Sequence, residues 1–276
     1  MERMRRTVSG LVAIALAAVL PLAACWGRTE STDRSPHLVS DSIARSPYDW
    51  SCLAWDERGR VSYVVDGTVR SRTGIDVSEH QGTIDWQAVA GDGIDFCYIR
   101  AAWRGSTEGA LYEDEQFRAN LEGARTAGLD VGLYVFSQAA TAEEGREEAE
   151  FVLALLGGES LDLPIAFDHE LTSDRSGRAD NISHDELTAA AHAFCDTVEA
   201  AGYEALIYGN SHEYARLDIL SFGRHGYWFA EYDEAPSIPF ELYLWQYTHQ
   251  GSVAGIGTGV DMSIELVHAL DGEGRR

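Results

Sequence analysis

Short apolar runs separated by amphipathic, helix-length segments recur along this chain, and that alternation limits it to a small set of folds. Strand-like runs occupy residues 74–78, 96–102, 131–137, 164–168, 205–208, 227–231, 243–247 and 259–262. Residues 114–127 carry Phe117, Leu121 and Ala124 on one helical face and meet Gly128, a stop signal. Residues 141–156 open on Thr141-x-x-Glu144, a capping box, and end at Gly157-Gly158. Residues 183–201 open on Ser183-x-x-Glu186, present Leu187, Phe194 and Val198, and end before Gly202. Repeated strand–helix units predict a parallel α/β architecture, and eight strands favour a closed (β/α) barrel over an open sheet. The segments between the last three strands are too short or too irregular for full crossover helices. The barrel is therefore expected to be irregular, TIM-like, and closed by strands in tight succession.

In such a barrel, functional groups gather at the carboxyl ends of the strands. Those ends supply Asp76, Arg100, Tyr134 with Phe136, Asp168 with Glu170, Tyr208, Trp228 with Tyr232, Trp245 with Gln246, and Asp261. Four carboxyls and a set of aromatics would then share one mouth, where rings stack on sugar faces and carboxyls handle hydroxyls and protons. The most informative stretch is Leu163-Pro164-Ile165-Ala166-Phe167-Asp168-His169-Glu170-Leu171. Side chains alternate along a strand, so Asp168 and Glu170 share a face, with Cα atoms roughly 6–7 Å apart, and His169 points away. Two carboxyls held together at the mouth of an apolar strand repel, which favours retention of one proton at neutral pH. A protonated acid beside a carboxylate is what glycoside hydrolysis requires. Taken alone, the tripeptide favours a solvated acidic turn after the strand; the rest of the chain has to carry the case.

The remainder of the 276-residue chain bounds its setting. A formal charge of −24 speaks against nucleic acid and against a membrane surface bound through basic patches. All 21 cationic side chains are arginine, to which no function is assigned. Arg3, Arg5 and Arg6 precede an apolar stretch over residues 8–22, too short to span a bilayer and suited to an export signal. Leu22-Ala23-Ala24-Cys25 resembles a bacterial lipoprotein signal rather than an A-x-A cleavage site. That resemblance implies a signal over residues 1–24, lipidation at Cys25, and a protein anchored to the outer face of the cell membrane. Residues 25–47 are Ser-, Thr-, Arg- and Asp-rich without periodicity and are expected to form a disordered tether. Residues 48–72 form an extension in which Asp66-Gly67 joins two strand-like runs, a two-residue hairpin signal. The barrel would occupy residues 73–270. Cys52, Cys97 and Cys195 have no metal-type spacing and are odd in number, so no structural dependence on disulfides is expected.

Gly74-Ile75-Asp76-Val77-Ser78, followed by Gln81-Gly82 and Ile84-Asp85-Trp86, resembles the opening motif of the glycoside hydrolase family 25 lysozymes. The likeness continues in family order through Phe96-Cys97-Tyr98-Ile99-Arg100-Ala101-Ala102, Gly132-Leu133-Tyr134 with Phe136, and Asp168-x-Glu170. It then takes in Ile207-Tyr208, Trp228-x-Ala230-x-Tyr232 and Leu244-Trp245-Gln246-Tyr247. The resemblance implies an irregular barrel with five helical crossovers and three final strands. It implies cleavage of the β-1,4 bond between N-acetylmuramic acid and N-acetylglucosamine in peptidoglycan glycan strands, without metal or cofactor. It gives Glu170 the role of general acid and Asp168 that of assisting the substrate's 2-acetamido group in a substrate-assisted retaining mechanism. Asp76 and Asp261 match the remaining acidic positions. Arg100, Tyr134, Phe136, Tyr208, Trp228, Tyr232, Trp245 and Gln246 become groove contacts. Two positions depart from the pattern: His169 replaces a residue usually aliphatic or aromatic, and Met262-Ser263 follow Asp261 where Leu-Asn is usual.

Other readings compete. A chitinase-type barrel would want a longer acidic run ahead of the glutamate, and Ile165-Ala166-Phe167 supplies none. A non-catalytic, lipid-anchored glycan binder would have no need of a proton-holding Glu170. Gly255–Gly259 is too short for a phosphate loop and lacks its lysine. His80, His192 and His249 show no metal spacing and read as ordinary surface or core residues. The chain is expected to act as a monomer.

Overall fold

The computed structural model describes residues 44–266. The expected export signal, Cys25, most of the expected tether and residues 267–270 of the expected barrel lie outside the described residues. Ala44–Pro47, expected as the end of that tether, instead lie on the barrel. Arg45 bridges Phe240, the Ser46 N–H donates to the Pro239 carbonyl at 2.8 Å, and the Glu241 N–H donates to the Ala44 carbonyl at 3.0 Å.

The extension is a small antiparallel sheet of three strands, β1 (Leu53–Trp55), β2 (Val61–Val65) and β3 (Thr68–Val69), in that order. Asp66 (φ 50°) and Gly67 (φ 76°) make the tight turn, with Val65 opposite Thr68. Both residues tolerate positive φ, which is what this turn demands. β1 was not foreseen; Leu53, Ala54 and Trp55 pair with Tyr63, Ser62 and Val61. Tyr48, Trp50 and Tyr63 form an aromatic knot, and the Tyr48 hydroxyl donates to the Leu242 carbonyl at 3.1 Å, fixing the extension to the barrel.

All eight expected barrel strands are present: β4 (Arg72–Val77), β5 (Phe96–Arg104), β7 (Asp130–Phe136), β8 (Ile165–Asp168), β9 (Ala205–Gly209), β10 (Gly226–Ala230), β11 (Leu244–Gly251) and β12 (Val260–Glu265). A short β6 (Leu111–Glu113) folds back on β5. The sheet order is β4-β12-β11-β10-β9-β8-β7-β5-β6, and β4 pairs with β5 to close it. Every barrel pairing from β4 through β5 and β7 to β11 is parallel; β12 runs antiparallel to both β11 and β4. The barrel is thus mixed rather than all-parallel. Residues 252–259 are too few for a crossover helix, so the chain returns as a hairpin-like antiparallel strand.

Five helices lie between strands: α1 (Trp86–Gly91), α2 (Phe117–Ala127), α3 (Ala142–Leu156), α4 (His184–Ala200) and the single turn α5 (Ser211–Tyr214). α2 ends at Gly128 (φ 82°), and α3 at Gly157 (φ 61°). Ser183 and Glu186 complete a reciprocal capping box on α4. On α3 only half of the expected box forms. The Thr141 hydroxyl accepts from the Glu144 N–H, but the Glu144 carboxylate turns to the Ala140 N–H and to Arg178.

Most of the core lies between the sheet's outer face and the helices; a second cluster fills the barrel itself. Phe96, Tyr98, Ala166, Leu206, Trp228 and Leu244 are buried there, with the Tyr98 and Trp228 rings 4.5 Å apart. The plug needs glycines opposite it. A Cβ on Gly74 would sit 2.1 Å from the Phe96 ring, and one on Gly132 would sit 2.5 Å from Tyr98. Alternation then dictates what lies above the plug: two residues beyond Tyr98, Ala166, Leu206 and Leu244 come Arg100, Asp168, Tyr208 and Gln246.

Candidate active site

Above the plug is a pocket of about 210 Å³ lined by Asp76, Asp168, Glu170 and Asp261, with Arg100, Tyr134, Phe136, Tyr208, Trp228 and His80. Asp168 ends β8, and Glu170 lies just past it. The Asp168 carbonyl accepts the Ser137 N–H at 2.7 Å and the Glu170 carbonyl accepts from Gln138 Nε2 at 2.8 Å, so the end of β7 holds this turn in place. His169 points the other way, stacked on Phe167 with centroids 6.2 Å apart and buried, which lowers its pKa to about 4.

The Asp168 and Glu170 carboxyls are close enough for each to shift the other's proton affinity. Burial raises Glu170 to about 7, reinforced by the charge of Glu213 on α5. Burial and the neighbouring Glu170 charge push Asp168 well above the usual carboxylate range, with Arg100 opposing. The pair therefore keeps a proton at neutral pH. Asp168 Oδ1 has no hydrogen-bond partner in the protein, although it is buried. A buried acceptor left in that state is costly unless something completes it.

Asp76 and Asp261 come from opposite ends of the domain. They meet because β12 is antiparallel to β4 and places the two residues directly opposite each other. Asp261 thus stands at the amino-terminal end of its strand, not at the carboxyl end expected from an all-parallel barrel; reversal of the strand brings it to the same rim. Burial raises both carboxyls, Asp76 further through the charge of Asp261. Gln246 Nε2 donates to Asp76 Oδ2 at 3.0 Å, which opposes that rise. Gln246 Oε1 in turn accepts from Tyr208 (3.1 Å) and Tyr232 (2.8 Å).

Other expected contacts are placed individually. Arg100 is braced by Asp114 (2.8 Å) and Glu79 (3.0 Å) and projects its charge toward Asp168. Tyr134, Phe136 and Tyr208 are half-buried in the pocket wall. Trp228 is fully enclosed, its indole N–H donating to Ser263 Oγ at 3.1 Å, and it forms the floor. Tyr232 lines a neighbouring trough and meets the site's hydrogen-bond network through its hydroxyl. Trp245 does not reach the mouth. Its neighbour Gln246 faces inward, so alternation sends Trp245 to the outer face, where its indole N–H donates to the Glu231 carbonyl and its ring meets Trp55. Two participants escaped the sequence reading. His80, on the one-turn 3-10 helix after β4, lines the pocket, and Glu213 charges it from α5.

The fold and the site define a closed barrel glycosidase scaffold with a carboxyl-lined mouth. The chain belongs to the glycosyl hydrolases family 25, whose model matches residues 75–256. It is similar to the autolytic lysozyme of Clostridium acetobutylicum, 30% identical over 190 residues, which cover 68% of this chain and 54% of that protein. It is also similar to lysozyme M1 of Streptomyces globisporus, 29% identical over 199 residues, covering 68% and 65%. The chain thus spans about half to two thirds of the length of these relatives. Among solved structures, the bacterial lysozyme from Streptomyces coelicolor superimposes with a TM-score of 0.60 at 27% identity, over 70% of this chain and 90% of that one.

Proposed function

We propose that the chain is a peptidoglycan hydrolase that cuts the β-1,4 bond between N-acetylmuramic acid and N-acetylglucosamine. The observation that carries this reading is Glu170, held to about 7 by burial, beside Asp168 in a pocket with Asp76 and Asp261. A carboxyl in that range can be protonated before the reaction and ionised after it at one ambient pH.

Glu170 donates its proton to the glycosidic oxygen as the C1–O bond breaks. Asp168 Oδ1, without a partner in the protein, accepts the N–H of the sugar's 2-acetamido group and turns its carbonyl oxygen toward C1. That oxygen bonds to C1, giving a cyclic intermediate. Water then opens the ring at C1 and passes its proton to the Glu170 carboxylate. Configuration is retained, by a route that differs from the two-carboxylate scheme with an enzyme nucleophile. Asp76 and Asp261, with Gln246 and the two tyrosine hydroxyls, form a fixed polar wall for the sugar opposite the acid. Arg100, Tyr134, Phe136, Tyr208 and the Trp228 floor shape the groove.

Lysozyme relatives support action at the cell envelope. Export with Cys25 as a lipid anchor and a monomeric state complete the proposal. Cys25→Ser should move the protein from the membrane fraction to the supernatant, and unchanged fractionation rejects the anchor.

The decisive test is mass spectrometry of fragments released from purified peptidoglycan. New reducing ends should be N-acetylmuramic acid. Reducing N-acetylglucosamine, or peptide cleavage alone, rejects the assignment.

A further inference from the structure

Beside the carboxyl-lined pocket runs a trough of about 710 Å³ between the N-terminal sheet and the segment that follows β10. Its walls include Trp50, Ser51 and Trp55 from the extension and Tyr232, Asp233 and Glu234 from the barrel. Residues 50–55 precede the family match at residue 75, so this wall is added to the family domain. We propose that the trough is a second carbohydrate site, occupied by the continuation of the glycan strand whose cleaved linkage sits in the pocket. The proposal rests on the reading of the chain as a peptidoglycan hydrolase.

Three observations lead to it. Among the described residues, four large apolar side chains stand exposed to water, and two of them, Trp55 (45%) and Tyr232 (51%), share this trough. Large rings left open to water in one concave place mark a binding surface more than a packing remainder. Trp55 is also held rigidly: its ring stands edge-on to Trp245 and Tyr247, with centroids 6.1 and 5.6 Å away and planes at 87° and 88°. An exposed ring that is already fixed loses little freedom when a sugar stacks on it. Finally, Tyr232 joins the two sites. It lines the trough while its hydroxyl donates to Gln246, which donates to Asp76. A chain of two hydrogen bonds therefore links a wall of the trough to a carboxyl of the pocket.

Chemistry selects the occupant. Asp233, Glu234 and the net charge of −24 repel phosphate headgroups and other anions. Uncharged pyranose rings offer an apolar face to indole and phenol and hydroxyls to carboxylates, and the volume lies within the range of small-ligand sites.

The test uses the full chain carrying Glu170→Gln, with peptide-free N-acetylglucosamine–N-acetylmuramic acid oligomers whose lactyl carboxyls are capped as uncharged methylamides, followed by calorimetry. The octasaccharide should bind about tenfold more tightly than the tetrasaccharide, and Trp55→Ala should abolish that preference while Trp55→Phe restores most of it. In parallel, the Trp55 indole N–H resonance, assigned through Trp55→Phe, should shift with the octasaccharide and stay in place with the tetrasaccharide. This second readout does not depend on the alanine variant folding. Equal affinity for both lengths, or a Trp55 resonance that ignores the octasaccharide, overturns the trough while leaving the hydrolase reading intact. A length preference seen only with strands bearing stem peptides also overturns it, because the occupant is then peptide. Failure of the hydrolase reading looks different: neither oligomer binds, and the unsubstituted protein releases nothing from peptidoglycan.

Discussion

The two carboxyl pairs at the rim are built in opposite ways. Asp168 and Glu170 come from the end of one strand and the turn that follows it, two residues apart, with Ser137 and Gln138 holding that turn. Asp76 and Asp261 come from the first and last barrel strands and meet only through the register of the closing pair. Their surroundings differ as well. The second pair receives a donated hydrogen bond from Gln246, which is itself braced by two tyrosine hydroxyls. The first faces the charge of Glu213 and leaves Asp168 Oδ1 without a partner. A satisfied, braced pair resists change, whereas an unsatisfied pair under like-charge pressure is ready to exchange protons and to accept a ligand's N–H. In the proposed mechanism one pair is the wall, and the other is the working part.

That division can be broken by substitution. Glu170→Gln should lower kcat about 10³-fold or more, because the proton donor is gone, while glycan binding persists. Dye release from labelled peptidoglycan measures it, and substantial residual turnover removes Glu170 from the role. Asp168→Asn should cost about 10²-fold in kcat, since the amide keeps the shape but presents a poorer acceptor to the acetamido N–H. Asp76→Asn and Asp261→Asn should each cost only about tenfold, expressed mostly in KM, and the double substitution should cost less than the product of the two. Losses in this wall pair equal to those in the working pair would dissolve the distinction.

Smaller effects sharpen the same contrast through pH. Glu170 must carry its proton to act, so kcat should fall as pH rises through about 7. Glu213→Gln removes the like charge facing it, lowers its pKa and moves that falling limb about half a unit toward acid. A limb that stays in place excludes Glu213 as a contributor. Stability moves with a sign that follows from the same shift. The folded protein holds the Glu170 proton up to about 7, while the unfolded chain releases it near 4.5, so stability declines between those values. Glu170→Gln escapes the decline and should melt several degrees higher above pH 7, a gain of about 3 kcal/mol that vanishes below pH 4.5. Differential scanning calorimetry across that range reads it directly.

Much of this was legible in the residues, for reasons that can be named. Apolar runs mark all eight strands, and glycines at 128 and 157 stop helices where positive φ is needed. The Asp168-x-Glu170 spacing brings its carboxyls to one rim because the chain leaves β8 only at Asp168, and contacts from β7's end hold the next two residues. The direction of β12 was not legible, since a period of two reads the same both ways; the eight residues before it were the usable signal, being too few for a crossover. The same alternation that pairs Asp168 with Glu170 separates Trp245 from Gln246, and applying it would have removed Trp245 from the groove. His80 and Glu213 sit on single helical turns, which carry no periodicity to reveal which way they face. Glu144 shows how tertiary contacts override a local motif: Arg178 and the Ala140 N–H draw it out of its capping box.

The antiparallel return of β12 also sets a timetable for biosynthesis. Two ladders, to β11 and to β4, and one of the rim acids all arrive with this single late segment. A nascent chain stalled before residue 260 has neither a seam nor a complete set of acids. Proteolytic nicking of the loop over residues 252–259, if it released the strand, would open the cylinder and disarm it in the same event.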